Sequence, residues 1–125
     1  MNMLFEDVTK QIIGAAYNVY NKMGFGYLEK VYEKCMMIEF SEINDLDVKQ
    51  QCPIKVEYKD VDVGDYVADL LINDSIIVEL KSVRQLAIAH EVQMVNYLKA
   101  TGLDLGLLIN FGEQKVDIKR KVREL

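Results

Sequence analysis

Residues 65–81 read DYVADLLINDSIIVELK, and this stretch decides the fold. Two apolar runs flank Asn73-Asp74-Ser75, a segment of residues that tolerate turn geometry. The pattern predicts two short strands joined by a tight turn. Because side chains alternate between the two faces of a strand, Glu79 and Lys81 point to one face and Leu80 points to the other.

The length of the turn determines where Asp69 points. A two-residue loop would pair Asp69 with Val78 and direct it away from Glu79. A three-residue loop from Asn73 to Ser75, or a bulge, places Asp69 across from Glu79. We predict this second register because the opposite face is then wholly apolar. That face consists of Ala68, Leu70, Ile72, Ile76, Val78 and Leu80.

Two converging carboxylates offer the oxygen ligands that Mg²⁺ or Mn²⁺ prefers. Lys81 adds a positive charge beside them, which can stabilise a developing oxyanion or hold an attacking water. Asp69, Glu79 and Lys81 together are suited to hydrolysis of a phosphodiester. Their spacing alone is equally compatible with a surface hairpin that carries a cross-strand ion pair, a feature that contributes little to stability.

Composition places the chain among soluble globular proteins. It has 125 residues, half of them hydrophobic and 28% charged, which predicts a single domain over residues 1–125. No apolar run is long enough to span a membrane, and the start MNMLFEDVTK lacks the order of a signal peptide, so we expect a cytoplasmic protein without membrane contact. Cys35 and Cys52 match no zinc spacing and are expected to be reduced core thiols.

The net charge of −5 argues against strong non-specific binding of nucleic acid through bulk electrostatics. The segment 115–123 is nevertheless basic and could either face phosphates or form a solvated terminal strand or helix. Its basic residues are Lys115, Lys119, Arg120, Lys121 and Arg123.

Hydrophobic periodicity predicts the order helix, helix, three strands, helix, strand, strand. The helices are expected at about 5–23, 27–43 and 85–100, and the strands at 48–58, from 61 to the turn, 76–81, 103–111 and 116–118. On the second helix the predicted buried side is Leu28, Val31, Cys35 and Ile38. On the third, His90, Gln93, Met94 and Tyr97 share a face, and we interpret His90 as a surface or satisfied histidine rather than a ligand. A helix between two strands permits a crossover and a mixed sheet.

The order Asp69, Glu79-x-Lys81 and Gln93-x-x-x-Tyr97 resembles the PD-(D/E)XK nuclease superfamily and its RecB-like branch. Gly26-Tyr27-Leu28-Glu29-Lys30-Val31-Tyr32 resembles the signature of the GxxExxY protein family more closely. The stretches YVADLLINDSIIVELKSV and VQMVNYLKATGLDLGLLINFG are also similar to that family. The resemblance covers about residues 12–120.

This resemblance implies a restriction-endonuclease-like α/β fold, with a central mixed sheet flanked by helices. It implies that Asp69 and Glu79 are metal ligands for Mg²⁺ (or Mn²⁺), and that Glu29 is the helical acid near the metal. A glutamate in the first turn of a helix is also favoured by the helix dipole alone. By the same resemblance, Lys81 activates water and stabilises charge. Gln93 positions this lysine or the substrate, and Tyr97 supports Gln93 or contacts DNA.

We therefore expect a nuclease that acts on nucleic acid, DNA rather than RNA, in repair or in defence against foreign DNA. The alternatives are a non-catalytic nuclease-fold module that binds nucleic acid or a protein partner, and a plain structural domain. A small acidic chain has little surface for sequence readout, which favours a homodimer or a partner subunit. The apolar face of the helix from Leu4 to Met23 is a candidate dimer surface or simply core.

Overall fold

The computed structural model describes residues 5–123 and contains the elements in the predicted order. None of the helices within these residues is long and apolar enough to cross a membrane. The elements are α1 (Glu6–Met23), α2 (Glu29–Ser41), β1 (Val48–Tyr58), β2 (Val61–Ile72), β3 (Ile76–Lys81), α3 (Ile88–Thr101), β4 (Leu105–Phe111) and β5 (Val116–Val122).

The five strands form one mixed sheet in the order β1-β2-β3-β4-β5. β2 pairs antiparallel with both β1 and β3, and α3 lies between the neighbouring strands β3 and β4 along the chain. Pro53 lies in β1, the first strand in this order, in agreement with the preference of proline for edge strands. The predicted α/β fold with a mixed sheet flanked by helices is confirmed.

The described residues divide into two compact units. The first unit comprises residues 5–46, 80–86 and 109–118, and the second comprises 47–79, 87–108 and 119–123. The single domain expected over residues 1–125 stays a prediction.

In the first unit, the apolar side of α1 is core. Its buried residues are Thr9, Ile12, Ala15, Ala16 and Val19. Over the described residues, the face considered as a dimer surface is therefore covered by the unit's own packing, while Leu4 lies outside the described residues.

The prediction for the buried side of α2 is wrong. Leu28 is 79% exposed and Ile38 is 65% exposed, whereas the neighbouring stripe is buried. This stripe consists of Tyr32, Glu33, Met36 and Phe40. Its anchor is Tyr32, whose ring stacks on Phe111 with the centroids 4.2 Å apart and whose hydroxyl donates to the Gly24 carbonyl. A large aromatic side chain with both a stacking partner and a polar partner buries more favourably than a leucine at a helix end.

In the second unit, α3 begins three residues later than predicted. The Ala87 N–H donates to His90 Nδ1 at 3.0 Å and the His90 N–H donates to the Ala87 carbonyl at 3.0 Å. This reciprocal pair satisfies two groups at the start of the helix, so His90 serves as part of the cap. Further along α3, Met94 packs so closely on Gly106 of β4 that a Cβ at position 106 would overlap its side chain.

The basic segment continues β5 beyond the predicted strand. β5 extends to Val122, and the lysines and arginine from 119 to 121 are half-buried rather than fully solvated. Lys121 forms an ion pair with Glu91 at 2.6 Å, and Arg123 forms one with Asp104 at 2.9 Å. The segment is a strand in which Lys121 and Arg123 are engaged within the second unit, and its proposed contact with phosphates stays a prediction.

Candidate active site

The hairpin of β2 and β3 has the predicted register. Ile72 pairs with Ile76, so the loop contains the three residues Asn73, Asp74 and Ser75. Asn73 and Asp74 adopt positive φ angles of 53° and 52°, which Asn and Asp tolerate better than most residues. This loop length fixes the face of the sheet to which each side chain of the two strands points.

Continuing this register brings Asp69 opposite Glu79. The Asp69 N–H donates to Glu79 Oε2 at 3.4 Å, which places the Glu79 carboxylate directly beside the Asp69 residue. Glu79 is only 6% exposed and Asp69 is half-buried. The six residues of the opposite face, predicted to be apolar core, are all at most 2% exposed.

Lys81 ends β3, two residues after Glu79, and alternation puts it on the same side of that strand. Its side chain is half-buried. Within residues 5–123, no ion pair or hydrogen bond engages the Lys81 ammonium.

The backbone that follows Lys81 is held by one buried side chain of β4. Asn110 is 1% exposed; its amide oxygen accepts from the Val83 N–H at 3.0 Å and its amide nitrogen donates to the Val83 carbonyl at 2.9 Å. The adjacent Ser82 hydroxyl donates to the Tyr27 carbonyl at 2.6 Å. These bonds satisfy the backbone groups of an irregular segment that has left the sheet.

On α3, Gln93 and Tyr97 lie one turn apart, Gln93 half-buried and Tyr97 6% exposed. Burial, followed by the charge of Glu79, the neighbouring Tyr66 and the charge of Asp69, raises the pKa of Tyr97 to about 12. The Tyr97 and Tyr66 ring centroids are 5.5 Å apart. The carboxylates are therefore close enough to Tyr97 for their charge to act on its hydroxyl, and this phenol stays a neutral hydrogen-bond donor at physiological pH.

The donor set at Asp69 and Glu79 fits Mg²⁺ better than a cation that needs an all-protein cage. Within residues 5–123, no group of three or more His, Cys, Asp or Glu side chains is arranged to hold a metal ion. Mg²⁺ is commonly bound through one or two carboxylates, with water and substrate phosphate oxygens as its other ligands. Two adjacent carboxylates, one of them buried, meet this requirement.

Glu29 is exposed, and the two cysteines that were expected in the core are only half-buried. Glu29 is the exposed first residue of α2, in the first unit, and its proposed role near a metal stays a prediction. One turn later, Glu33 is 4% exposed, and its Oε1 lies 3.6 Å from Lys30 Nζ. This buried carboxylate was not selected from the sequence, although its spacing with Tyr32 was visible. Cys35 and Cys52 are free and half-buried.

A groove that the sequence did not indicate lies in the second unit. It is formed by α3 and by residues of β1 and β2, has a volume of about 980 Å³, and we call it the α3 groove. Its lining residues are Lys55, Val56, Glu57, Val63, Gly64 and Tyr66 from the strands, and Ile88, Ala89, Val92, Gln93, Asn96, Tyr97, Lys99 and Ala100 from the helix. The last lining residue from the strands, Tyr66, and the first from the helix, Ile88, are 22 positions apart, so no local pattern marks the groove.

A family model described as the PD-(D/E)XK nuclease superfamily matches residues 6–121 of the chain. Nucleases of this superfamily generally use divalent metal ions. The finer assignment to the GxxExxY family stays a prediction. No curated protein matches the sequence.

Two solved structures resemble the chain at 13% sequence identity. "Crystal structure of SSO0001" has a TM-score of 0.59 and covers 97% of this chain, which spans 61% of that structure. An alkaline exonuclease (LHK-Exo) from Laribacter hongkongensis has a TM-score of 0.44, with 93% of this chain and 82% of that one covered. The first likeness supports the fold, and the second is too distant to support an inference.

Proposed function

Because the chain belongs to the PD-(D/E)XK nuclease superfamily, we propose that it is a nuclease that hydrolyses phosphodiester bonds of DNA with Mg²⁺ or Mn²⁺. The observation that carries this proposal is the opposition of Asp69 and Glu79 across the β2–β3 hairpin, where the Glu79 carboxylate accepts from the Asp69 N–H at 3.4 Å. Lys81 follows on the same side of β3. A carboxylate pair with one buried member, followed by a lysine, is unusual for a surface hairpin and suitable for phosphodiester hydrolysis.

In this proposal, Asp69 and Glu79 hold the cation and Glu29 is a further acid of the site. A bound divalent cation supplies neutralisation of phosphate charge and lowers the pKa of water. A cation held by the two carboxylates would have a fixed position relative to β3, because both residues belong to paired strands of a packed sheet, and it would in turn orient the scissile phosphate.

Lys81 stabilises negative charge that develops on a non-bridging phosphate oxygen and orients the attacking water. Its ammonium is not engaged by another described residue, so this role does not require an existing ion pair to break. Gln93 positions the substrate or Lys81 through its amide. Tyr97 donates a hydrogen bond to Gln93 or to the DNA, since its pKa of about 12 keeps the phenol protonated.

The biological setting is also part of the proposal: a cytoplasmic single domain over residues 1–125 that acts in repair or in defence, as a homodimer or with a partner subunit. A short chain with a net charge of −5 has little surface for sequence readout, which supports a second subunit.

The proposal is tested by incubating DNA substrates with the wild-type protein and with Lys81→Ala in Mg²⁺, in Mn²⁺ and in chelator. We expect cleavage that requires the cation and falls at least 100-fold in Lys81→Ala, the size that removal of one charge-stabilising group typically has. Lys10→Ala is the control, because Lys10 is an exposed lysine of α1 that pairs with Glu6 and takes no part in the proposed site. Cleavage that persists in chelator, or in Lys81→Ala, would contradict the proposal.

The alternative is a non-catalytic nuclease-fold module. Calorimetry with Mn²⁺ separates the two, because only the nuclease predicts binding by the wild type that Glu79→Ala abolishes. Absence of binding in both forms, together with DNA binding that leaves the DNA intact, would favour the module.

A further inference from the structure

The α3 groove has the dimensions of a ligand site. Its volume of about 980 Å³ lies at the upper end of the range of about 300–1,000 Å³ that ligand pockets occupy. All of its lining residues belong to the second unit, which also contains Asp69 and Glu79.

The walls of the groove carry large apolar side chains that remain in contact with solvent. From the strands these are Val63 and Tyr66, 61% and 46% exposed, and from α3 they are Ile88 and Val92, 78% and 52% exposed. Single exposed apolar residues are ordinary, but a concave group of them on one surface usually marks a binding site.

The groove shares Tyr97 with the carboxylate site. Tyr97 lines the groove, and the charges of Glu79 and Asp69 raise its pKa. Gln93, the other α3 residue expected near the substrate, also lines the groove. A molecule bound in the groove would therefore lie beside the phosphodiester that the carboxylates are proposed to hold.

The charged residues that line the groove are Lys55, Lys99 and Glu57. Lys55 pairs with Asp62 at 3.2 Å, so Lys99 is the lining lysine that remains available to a phosphate. Positive charge at the margin of an apolar and aromatic cleft matches a strand whose bases are unpaired and whose phosphates stay at the rim. A paired duplex keeps its bases stacked on one another, so their faces are not available to the aromatic wall of such a cleft.

We propose that the α3 groove binds unpaired bases of the substrate strand next to the cleavage position, with a base stacked on the ring of Tyr66. This inference rests on the proposed nuclease function and deepens it, because it makes a single-stranded segment the preferred substrate. Stacking is independent of sequence, since every base has a π-face. The side chain of Tyr66 is free for this contact on its exposed part, while its other part packs against Tyr97.

The test measures binding of a short fluorescein-labelled single-stranded oligodeoxynucleotide by anisotropy, with Ca²⁺ replacing Mg²⁺ so that the strand stays intact, and compares it with the same sequence as a blunt duplex. The wild type is expected to bind the single strand more tightly. Tyr66→Ala should weaken single-strand binding by about 5- to 150-fold, the range for loss of one base–aromatic stack, and Tyr66→Phe should retain it. Tyr17→Ala is the matched control, because Tyr17 is 47% exposed on α1.

Two variants of opposite charge at one groove position identify the occupant. Val92 is 52% exposed on α3, so both Val92→Glu and Val92→Lys should fold. A nucleic-acid strand predicts weaker binding with Val92→Glu and equal or tighter binding with Val92→Lys. If instead both variants lose a dimer that the wild type forms in light scattering, the occupant is a second copy of the chain and the inference is overturned.

The inference and the function on which it rests fail in different ways. Unchanged single-strand binding in Tyr66→Ala, or no preference of the wild type for the single strand, overturns the groove proposal even when Lys81-dependent cleavage is present. If the wild type shows no metal-dependent cleavage but its single-strand binding still depends on Tyr66, the nuclease proposal is overturned instead.

Discussion

Tyr97 should report the charge of the carboxylate pair. Its pKa of about 12 arises first from burial, then from Glu79, then from Tyr66 and Asp69. Glu79→Gln removes the second cause and keeps the shape of the side chain. We expect the pKa of Tyr97 to fall below about 12 but to stay above its ordinary value of 10.0, because burial, the largest cause, is unchanged.

The assay is an alkaline titration of protein labelled with ¹³C at the tyrosine Cζ, followed by NMR. The chain has seven tyrosines, and Tyr97→Phe assigns the resonance. Asp69→Asn should lower the pKa less than Glu79→Gln does, since Asp69 ranks last among the causes. Asp62→Asn is the control, because Asp62 pairs with Lys55 and does not contribute to the Tyr97 shift.

Saturating Mg²⁺ should lower the pKa of Tyr97 in the wild type, because the cation neutralises the same charges, and should leave it unchanged in Glu79→Gln. A Tyr97 pKa that stays at about 12 in Glu79→Gln would refute this reasoning. It would mean that the Glu79 charge does not reach the Tyr97 hydroxyl.

Three further predictions concern stability. Mn²⁺ at 100 times its dissociation constant should stabilise the wild type by about 2.7 kcal/mol, which for a chain of 125 residues raises the melting temperature by about 10 °C; scanning fluorimetry should show no such rise in Glu79→Ala. Gly106→Ala should destabilise the protein by about 1–3 kcal/mol in urea unfolding, because the added Cβ overlaps the buried Met94 side chain, and a smaller residue at position 94 in the same chain should recover part of the loss. Because the folded pKa of Tyr97 lies above its unfolded value, its contribution to stability is complete below pH 10 and is lost as the pH rises towards 12; Tyr97→Phe should flatten that decline, and an equally steep decline in the variant would contradict it.

The hairpin register was predictable because the alternation of side chains along the strands and the burial of apolar residues favour the same pairing. A three-residue loop leaves both carboxylates on one face and six apolar residues on the other, whereas a two-residue loop would separate the carboxylates. The order of the elements was predictable for a similar reason, since hydrophobic periodicity changes clearly between helices and strands. These are local properties that need no knowledge of the rest of the fold.

The buried face of α2 was not predictable, because two neighbouring stripes both contain apolar residues. What selects Tyr32 over Leu28 is Phe111, seventy-nine positions later in the sequence, whose ring lies 4.2 Å from that of Tyr32. The α3 groove was hidden for the same reason, since its two walls meet only in the folded second unit. Periodicity identifies an amphipathic element but not its partner.

The two bonds between Asn110 and Val83 have a consequence for mutational tolerance. Because the side chain must donate and accept at once, an aspartate would lack the donor, a leucine would lack both groups, and a glutamine would be one methylene too long for the same site. In a saturation library selected only for folded protein, position 110 should therefore accept asparagine almost alone. Such strict intolerance near Lys81 would resemble that of a residue taking part in the reaction, although its origin is the backbone that the amide completes.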